Sequence, residues 1–479
     1  MYYIILAMLR PEKFKYITLF ITLLILIFIP VALSDGMYGG ADNIAHFRIS
    51  KYAFSYPHLF LDHWGKPLFT LLSSPFSQFG FNGLRFFNVI TGIFAAYLSF
   101  RVAQELKIKN PVIVVFFVVF SPLFFRLFFS GLTEILFSFV LILAIFFFVR
   151  KKYLFSTLVI SFLPFVRTEG IIFFVIWLIL LGINKKWKII PLLFSGTLIY
   201  SLIGWSYYGD ILWVFHKMPY TGAGNIYGHG ELLHFVNSAD HIIGIPLIIL
   251  FLFGLVNYVR SFIKNEFKSA RRINEGFLVF GGMAIYFVAY SYVWWKGIGG
   301  SLGLVRVMAC VIPLAAIICA RGADLLTDIL PKKRIVQSLL PVLLVLIVSL
   351  TTIFGVKIPM KAGRQEKVLI EATEWVKGSG FFHNKIYYYD LYFLHRLEVD
   401  PFNQERCFEK LPDNKFPGKN VPAGSIVQWD AHYGPNEGNM PLERLLENDQ
   451  FRLLKVFKPA EPFEVLGGNE YAVYLFEKN

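Results

Sequence analysis

The chain has 479 residues, of which 56% are hydrophobic, 18% aromatic and only 16% charged. A soluble globular chain carries roughly a quarter charged residues, so this composition excludes an ordinary soluble domain and defines a polytopic membrane protein. The formal charge of +14 does not mark a nucleic-acid binder, because Lys and Arg gather in short breaks between apolar runs.

At the start of the chain, Arg10, Lys13 and Lys15 precede a long apolar run with no small-residue cleavage site. That pattern is expected of a retained first span rather than a removed leader. At roughly 20 apolar residues per crossing, the candidate spans are 16–33, 83–104, 111–129, 131–149, 153–166, 169–183, 188–208, 241–259, 275–295, 301–320 and 335–356. The expected fold is therefore an α-helical polytopic membrane protein of about eleven transmembrane helices, with Pro164 interrupting a short fifth span. Basic residues recur in alternate breaks: Arg101, Lys107 and Lys109, then Arg150 to Lys152, Lys185 to Lys188, Arg260 to Arg272 (Lys268 among them), and Arg321 to Arg334 with Lys332. By the positive-inside rule these breaks and the N-terminus are cytoplasmic, and an odd span count puts the C-terminal tail outside.

Three segments then face the exterior. In the long first loop, 34–82, Ala41 to Phe54 is expected to form an interfacial amphipathic helix with Asp42 and His46 on one face, at i and i+4. Lys66 to Pro75 is apolar but too short to span, and reads as a second interfacial helix or a re-entrant one. The second loop, 209–240, contains His229, Glu231, His234, Asp240 and His241, which are metal-capable but match no firm ligand spacing. The expected domains are 1–356 in the membrane and 357–479 outside. The tail is read as a small α/β domain: a helix near Glu366–Lys377, extended runs at 385–390, 424–430, 451–457 and 471–476, and a helix near Leu442–Asn448. Cys310, Cys319 and Cys407 support no disulfide framework.

Ionisable groups in or beside spans are costly and usually face a cavity or a partner. Here Asp35, Asp42, His46, Lys66, Arg85, Arg126, Glu134, Arg167, Glu169, Lys296 and Arg306 all fall toward the outer side of the expected topology. A cationic, carboxylate-containing pocket there suits a lipid phosphate whose head group reacts outside the cell. Asp42 is the expected base, with helix capping as its plainer role and Asp35 as the rival. Lys66 and Arg85 are read either as phosphate contacts or as interfacial anchors. The pairs Arg126–Glu134 and Arg167–Glu169 are read either as site groups or as structural ion pairs. The glycine-rich turn from Lys296 to Arg306 either holds a phosphate or simply joins two spans. Asp390 and Asp430 are read as turn residues at strand ends.

The ordered set Asp42 in Gly-Gly-Ala-Asp-Asn, Lys66-Pro67, Arg85 opening a span, Glu134, Arg167-Thr-Glu-Gly170 and Arg306 with Pro313 resembles the GT-C glycosyltransferase superfamily. That superfamily includes protein O-mannosyltransferases and bacterial aminoarabinose transferases. Two departures, Asn43 where many relatives have a second acid and Lys-Pro-Leu for Lys-Pro-Pro, bear on the sugar rather than the reaction class. The resemblance implies a polyprenyl-phosphate sugar donor, an acceptor hydroxyl on a glycan, lipid or protein, and inverting transfer. In that scheme Asp42 is the base, His46 orients it, and Lys66, Arg85, Lys296 and Arg306 stabilise the departing phosphate. A lipid-linked glycan ligase or polymerase is the nearer alternative and a transporter the more distant one. A divalent metal is left open. The expected location is the bacterial inner membrane, with the lipid bilayer as a partner and no nucleic acid.

Overall fold

The computed structural model describes residues 11–219, 228–264, 269–299, 301–331 and 333–479. Arg10, Lys268, Lys332, Gly300 and part of the second outer loop lie outside the described residues. The chain divides into two compact units, one of residues 1–33 and 49–359, the other of Ser34–Arg48 with Met360–Asn479.

The first unit is a helical bundle. Among the described residues, seven helices are long and apolar enough to cross a membrane, including Phe14–Ala32, Phe81–Glu105, Val305–Ile329 and Ile335–Gly355, and shorter apolar helices such as Glu134–Val149 accompany them. The Val305–Ile329 segment is 94% buried, whereas Ile335–Gly355 is 11% and Phe14–Ala32 17% buried. The first therefore forms the centre of the bundle and the other two its lipid-facing rim.

Prolines decide where several of the expected spans break. The run 111–129 is two short helices, Ile113–Val119 and Pro122–Leu127. Pro122 has no N–H to continue a helix and forces Ser121 out of the helical region, which makes Pro122 a helix start. Pro164 likewise ends helix Tyr153–Ser161 in a 3-10 turn, Leu163–Phe165. Two short helices form where expected, Ala41–Tyr52 and Pro67–Ser77, but the first is not amphipathic, since Asn43 to Phe47 are all buried.

Two glycines set the tightest helix crossing, between Ile245–Ile263 and Ile312–Ile329. A Cβ on Gly254 would lie 2.1 Å from the carbonyl oxygen of Ile318, and one on Gly322 only 1.9 Å from that of Leu250. The two backbones touch, as small residues permit between membrane helices. Near one end of this crossing Arg321 grips Glu275 with two bonds (Nε to Oε1 2.6 Å, Nη2 to Oε2 3.0 Å) and also bonds the Leu106 carbonyl (2.7 Å) and Asp324 (3.3 Å).

The second unit is α/β. Strands β1 (Ile386–Tyr388), β2 (Cys407–Glu409), β3 (Ile426–Asp430), β4 (Phe451–Phe457) and β5 (Val473–Lys478) form one sheet in the order β2-β1-β3-β5-β4. β1 is parallel to β2 and β3, while β5 is antiparallel to β3 and β4. Every residue of β3 is buried, whereas β4, at the sheet edge, buries Phe451 and Phe457 and exposes Arg452, Leu453 and Lys455. Helix Arg364–Gly378 precedes β1 and Leu391–Leu397 follows it. The segment 34–48 joins this unit: the Gly36 amide donates to the Met360 carbonyl (3.0 Å) and the Met360 amide to the Ser34 hydroxyl (2.8 Å).

Gly322→Ala is expected to lower the melting temperature of the detergent-purified protein, at a cost of about 1–3 kcal/mol from overpacking. Gly355→Ala, whose new Cβ meets open space, is expected to leave it unchanged; equal melting of the two variants would contradict the close crossing.

Candidate active site

In the membrane unit, charges expected at the outer side gather around one carboxylate. Glu134 opens its helix and is fully buried. Its Oε1 accepts from Arg167 Nη1 at 2.8 Å and lies 3.4 Å from Arg306 Nε. Arg167 also donates from Nη1 to the Thr133 hydroxyl (3.2 Å) and from Nε to Glu169. Glu169 in turn accepts from the Tyr290 hydroxyl, and Tyr286, 4.8 Å from the Tyr290 ring, donates to the Val307 carbonyl. Arg167–Glu169 is thus an ion pair as expected, but Glu134 pairs with Arg167 and Arg306, not with Arg126. The four-charge core, two arginines and two glutamates, is neutral as a set. Glu134 Oε2 is buried without a hydrogen-bond partner among the described residues, so the cluster keeps one accepting atom.

The backbone that carries these groups is irregular. Glu169 and Arg306 sit in 3-10 segments, Thr168–Phe173 and Val305–Val311, and Arg167 immediately precedes the first. The helix bearing Tyr286 and Tyr290 contains a π-helical turn, Gly276–Gly281, which shifts the phase of everything after it.

Lys66 and Arg85 belong to the same unit and are both buried. Lys66 holds a left-handed conformation (φ 61°) just before helix Pro67–Ser77. Arg85 donates to Asn82 Oδ1 (3.2 Å) and lies over the Phe81 ring at 4.6 Å. Lys296 ends its helix, is exposed, and rests its ammonium 3.7 Å from the Trp295 ring centroid. The turn after it, apart from Gly300, is pinned by His234 Nε2 bonded to the Gly303 carbonyl (2.7 Å). Among the described residues, no group of three or more His, Cys, Asp or Glu is arranged to hold a metal ion.

In the second unit, Asp42 lies in the first turn of helix Ala41–Tyr52, with His46 one turn on and buried. Asp35 is exposed and 3.9 Å from the Lys361 ammonium. Arg48 anchors this segment to the sheet, donating to the Tyr388 hydroxyl (3.0 Å) at the end of β1 and to Glu409 (2.8 Å) at the end of β2.

Asp390 and Asp430 do serve turns, yet they are buried rather than solvated. Asp390 caps helix Leu391–Leu397 through the Tyr392 amide (2.7 Å), and Asp430 accepts from the His432 and Tyr433 amides (3.0 and 2.8 Å). Gln428 bridges them: its Oε1 accepts from the amides of Tyr389 and Asp390, and its Nε2 donates to Asp430 (3.2 Å). Burial, reinforced by mutual repulsion, pushes the Asp390 carboxyl up, and burial also raises that of Asp430. Burial raises the Tyr433 phenol as well, with further contributions from the charges of Asp390, Asp430, Glu437 and Asp42. The segment that bears Asp42 is tied by Arg48 to Tyr388, whose register partner on β3 is Gln428.

Sequence reading did not find Tyr290, whose role depends on the helix phase after the π turn. Nor did it find the Asp390–Gln428–Asp430 bridge, because strand-end aspartates look alike whether buried or solvated.

A polytopic helical unit followed by a small mixed α/β unit is a fold this chain shares with solved structures. The crystal structure of ArnT from Cupriavidus metallidurans in the apo state is similar to this chain with a TM-score of 0.61 and 10% identity, over 97% of this chain and 98% of that one. ArnT bound to undecaprenyl phosphate gives 0.55 and 11%, over 96% and 98%. No family model matches the sequence, and no curated protein matches it.

Two outcomes follow from the clusters. Arg167→Met removes the cation that Glu134 and Glu169 share and is expected to cost about 3–5 kcal/mol in thermal unfolding, whereas Tyr290→Phe removes one hydrogen bond and costs about 1 kcal/mol. For Asp390 and Asp430 the folded carboxyls hold their protons more tightly than unfolded ones. Their contribution to stability is therefore full at acid pH and lost as pH rises above the ordinary carboxylate range through the raised values. The melting of the second unit is expected to drop over that interval, and Asp390→Asn to remove about half of the drop; an unchanged slope in that variant would contradict the assignment.

Proposed function

We propose that this chain is a membrane glycosyltransferase that moves a sugar from a polyprenyl-phosphate donor to an acceptor hydroxyl on the exterior face of a bacterial inner membrane. The observation that carries this reading is likeness over nearly the whole chain to ArnT, which was solved with undecaprenyl phosphate bound. The presence of both a carboxylate-bearing outer segment and a set of buried cations supports it. In this reading the N-terminus is cytoplasmic and the C-terminal unit extracytoplasmic.

The chemistry needs one base and no general acid. Asp42 takes the proton from the acceptor hydroxyl as its oxygen attacks the anomeric carbon and the bond to phosphate breaks with inversion. A lipid phosphate leaves as an anion, so no second carboxylic acid is required, in contrast to glycoside hydrolysis. His46, one turn from Asp42 on the same helix face, orients it. Lys66, Arg85, Lys296 and Arg306 stabilise the charge growing on the leaving phosphate. Arg306 comes already paired with Glu134, so its charge is fixed in position and partly compensated.

Asp42→Asn is expected to lower the rate of labelled-sugar transfer in detergent by roughly 10²–10⁴-fold, with melting temperature and polyprenyl-phosphate binding retained. Near-normal transfer by this variant would remove Asp42 from the role.

A further inference from the structure

The loop between β2 and β3 and the turn before β4 enclose a cleft of about 780 Å³ in the second unit, within the range of ligand sites. Lys415, Phe416 and Lys419 line one wall, and Arg444, Asn448 and Gln450 belong to the other. The Phe416 ring is 67% exposed, a large apolar face left in water beside cations.

The walls are held in place without any ligand. Asp413 Oδ1 accepts from the amides of Lys415 (2.9 Å) and Phe416 (3.0 Å), and Arg444 Nη1 ties across to the Asn414 carbonyl at 2.7 Å. Gly418 packs so closely that a Cβ there would lie 1.7 Å from Gln450 Oε1. The charge is divided: Lys415 and Arg444 form no ion pair among the described residues, and Lys419 approaches Asp413 only at 4.0 Å, while Glu447 and Asp449 lie by Asn448. A flat ring for the apolar face of a pyranose, cations for an acidic substituent, and carboxylates and carboxamides for hydroxyls form a consistent set.

We propose that this cleft binds an anionic oligosaccharide that forms the outlying part of the acceptor, an inference that rests on the glycosyltransfer reading. The cleft lies where β3 and β4 begin. Toward the other end of β3 is Gln428, register partner of the Tyr388 that Arg48, on the helix of Asp42, bonds; β3 is five residues or ~17 Å long. An acceptor using both ends is therefore an oligomer of several sugars, and its remote units contribute binding that selects it.

The test is direct binding to the intact protein in detergent, with a uronate-containing tetrasaccharide, its carboxyl-reduced counterpart and a phosphorylated tetrasaccharide as probes. Saturable binding of at least one acidic probe is expected, about tenfold weaker for the reduced one. Whichever acidic probe binds identifies the substituent. Phe416→Ala, and Lys415→Ala with Lys419→Ala, are expected to weaken binding about tenfold without changing the melting temperature, and to raise the KM of an oligomeric acceptor with kcat unchanged. No saturable binding, equal affinity for the reduced probe, or unaltered binding by both variants would overturn the proposal. Donor consumption by the same samples, with or without these substitutions, reports separately on the transferase reading.

Discussion

An ionised carboxylate enclosed by apolar helices persists only where cations and donors replace the water it has lost. Glu134 is in that position, fully buried between Arg167 and Arg306. Meeting its requirement draws together segments far apart in the chain: the start of one helix, the 3-10 turn around Glu169, the end of a second helix at Tyr290, and the 3-10 segment of Arg306. Arg167 is shared by the two glutamates, and Tyr290 joins the set through Glu169. The irregular backbone follows from the same constraint. Within a bilayer, non-helical main chain survives only where protein encloses it, and the 3-10 turns lie where the polar cluster meets the bundle's most buried helix.

The second unit repeats this logic. Gln428 has no exposed surface, and its one amide serves three groups at the ends of β1 and β3. That bridge lets two aspartates remain inside a small sheet, and it leaves the surface above them to Tyr433 and the segment bearing Asp42. Arg48 performs the complementary task at β1 and β2, where its charge is matched by Glu409 and its second donor by Tyr388. Asp42 is thus carried by a segment held to the sheet through hydrogen bonds on both sides, at Gly36 and at Arg48.

The sequence made the bundle legible because apolar length and basic breaks are local signals. It also made the gathering of Glu134, Arg167, Glu169 and Arg306 legible, since topology alone assigns them to one side. It did not show which acid meets which base: nearness in sequence pairs Glu134 with Arg126, whereas the fold pairs it with Arg167 and Arg306. β4 matches the expected run 451–457 because seven residues rich in Phe, Leu and Val are themselves a local signal. β2, three residues long, has too little pattern to stand out, and helix Leu391–Leu397 is too short for its period to register. The joining of residues 34–48 to the tail depends on pairing across more than three hundred residues, which no local pattern encodes.

The four cations assigned to the leaving phosphate are not equivalent in how they are held. Lys296 is exposed at a helix end, and its ammonium lies on an aromatic ring, so its position is easily changed. Arg306 and Arg85 are buried and already engaged, one by Glu134 and the other by Asn82 and Phe81. Lys66 is the most constrained. A lysine at φ 61° gives up about 1–3 kcal/mol of backbone preference, and such a conformation persists only where its surroundings enforce it. Here Pro67 fixes the next residue, the Lys66 carbonyl accepts from the Thr70 amide at 2.9 Å, and the Thr70 hydroxyl returns to the Gly65 carbonyl at 2.9 Å. An interfacial anchor that merely snorkels outward has no use for a fixed, strained backbone or for burial. A cation that must meet a developing phosphate charge without reorganising has a use for both, which favours Lys66 over Lys296 as the principal phosphate contact.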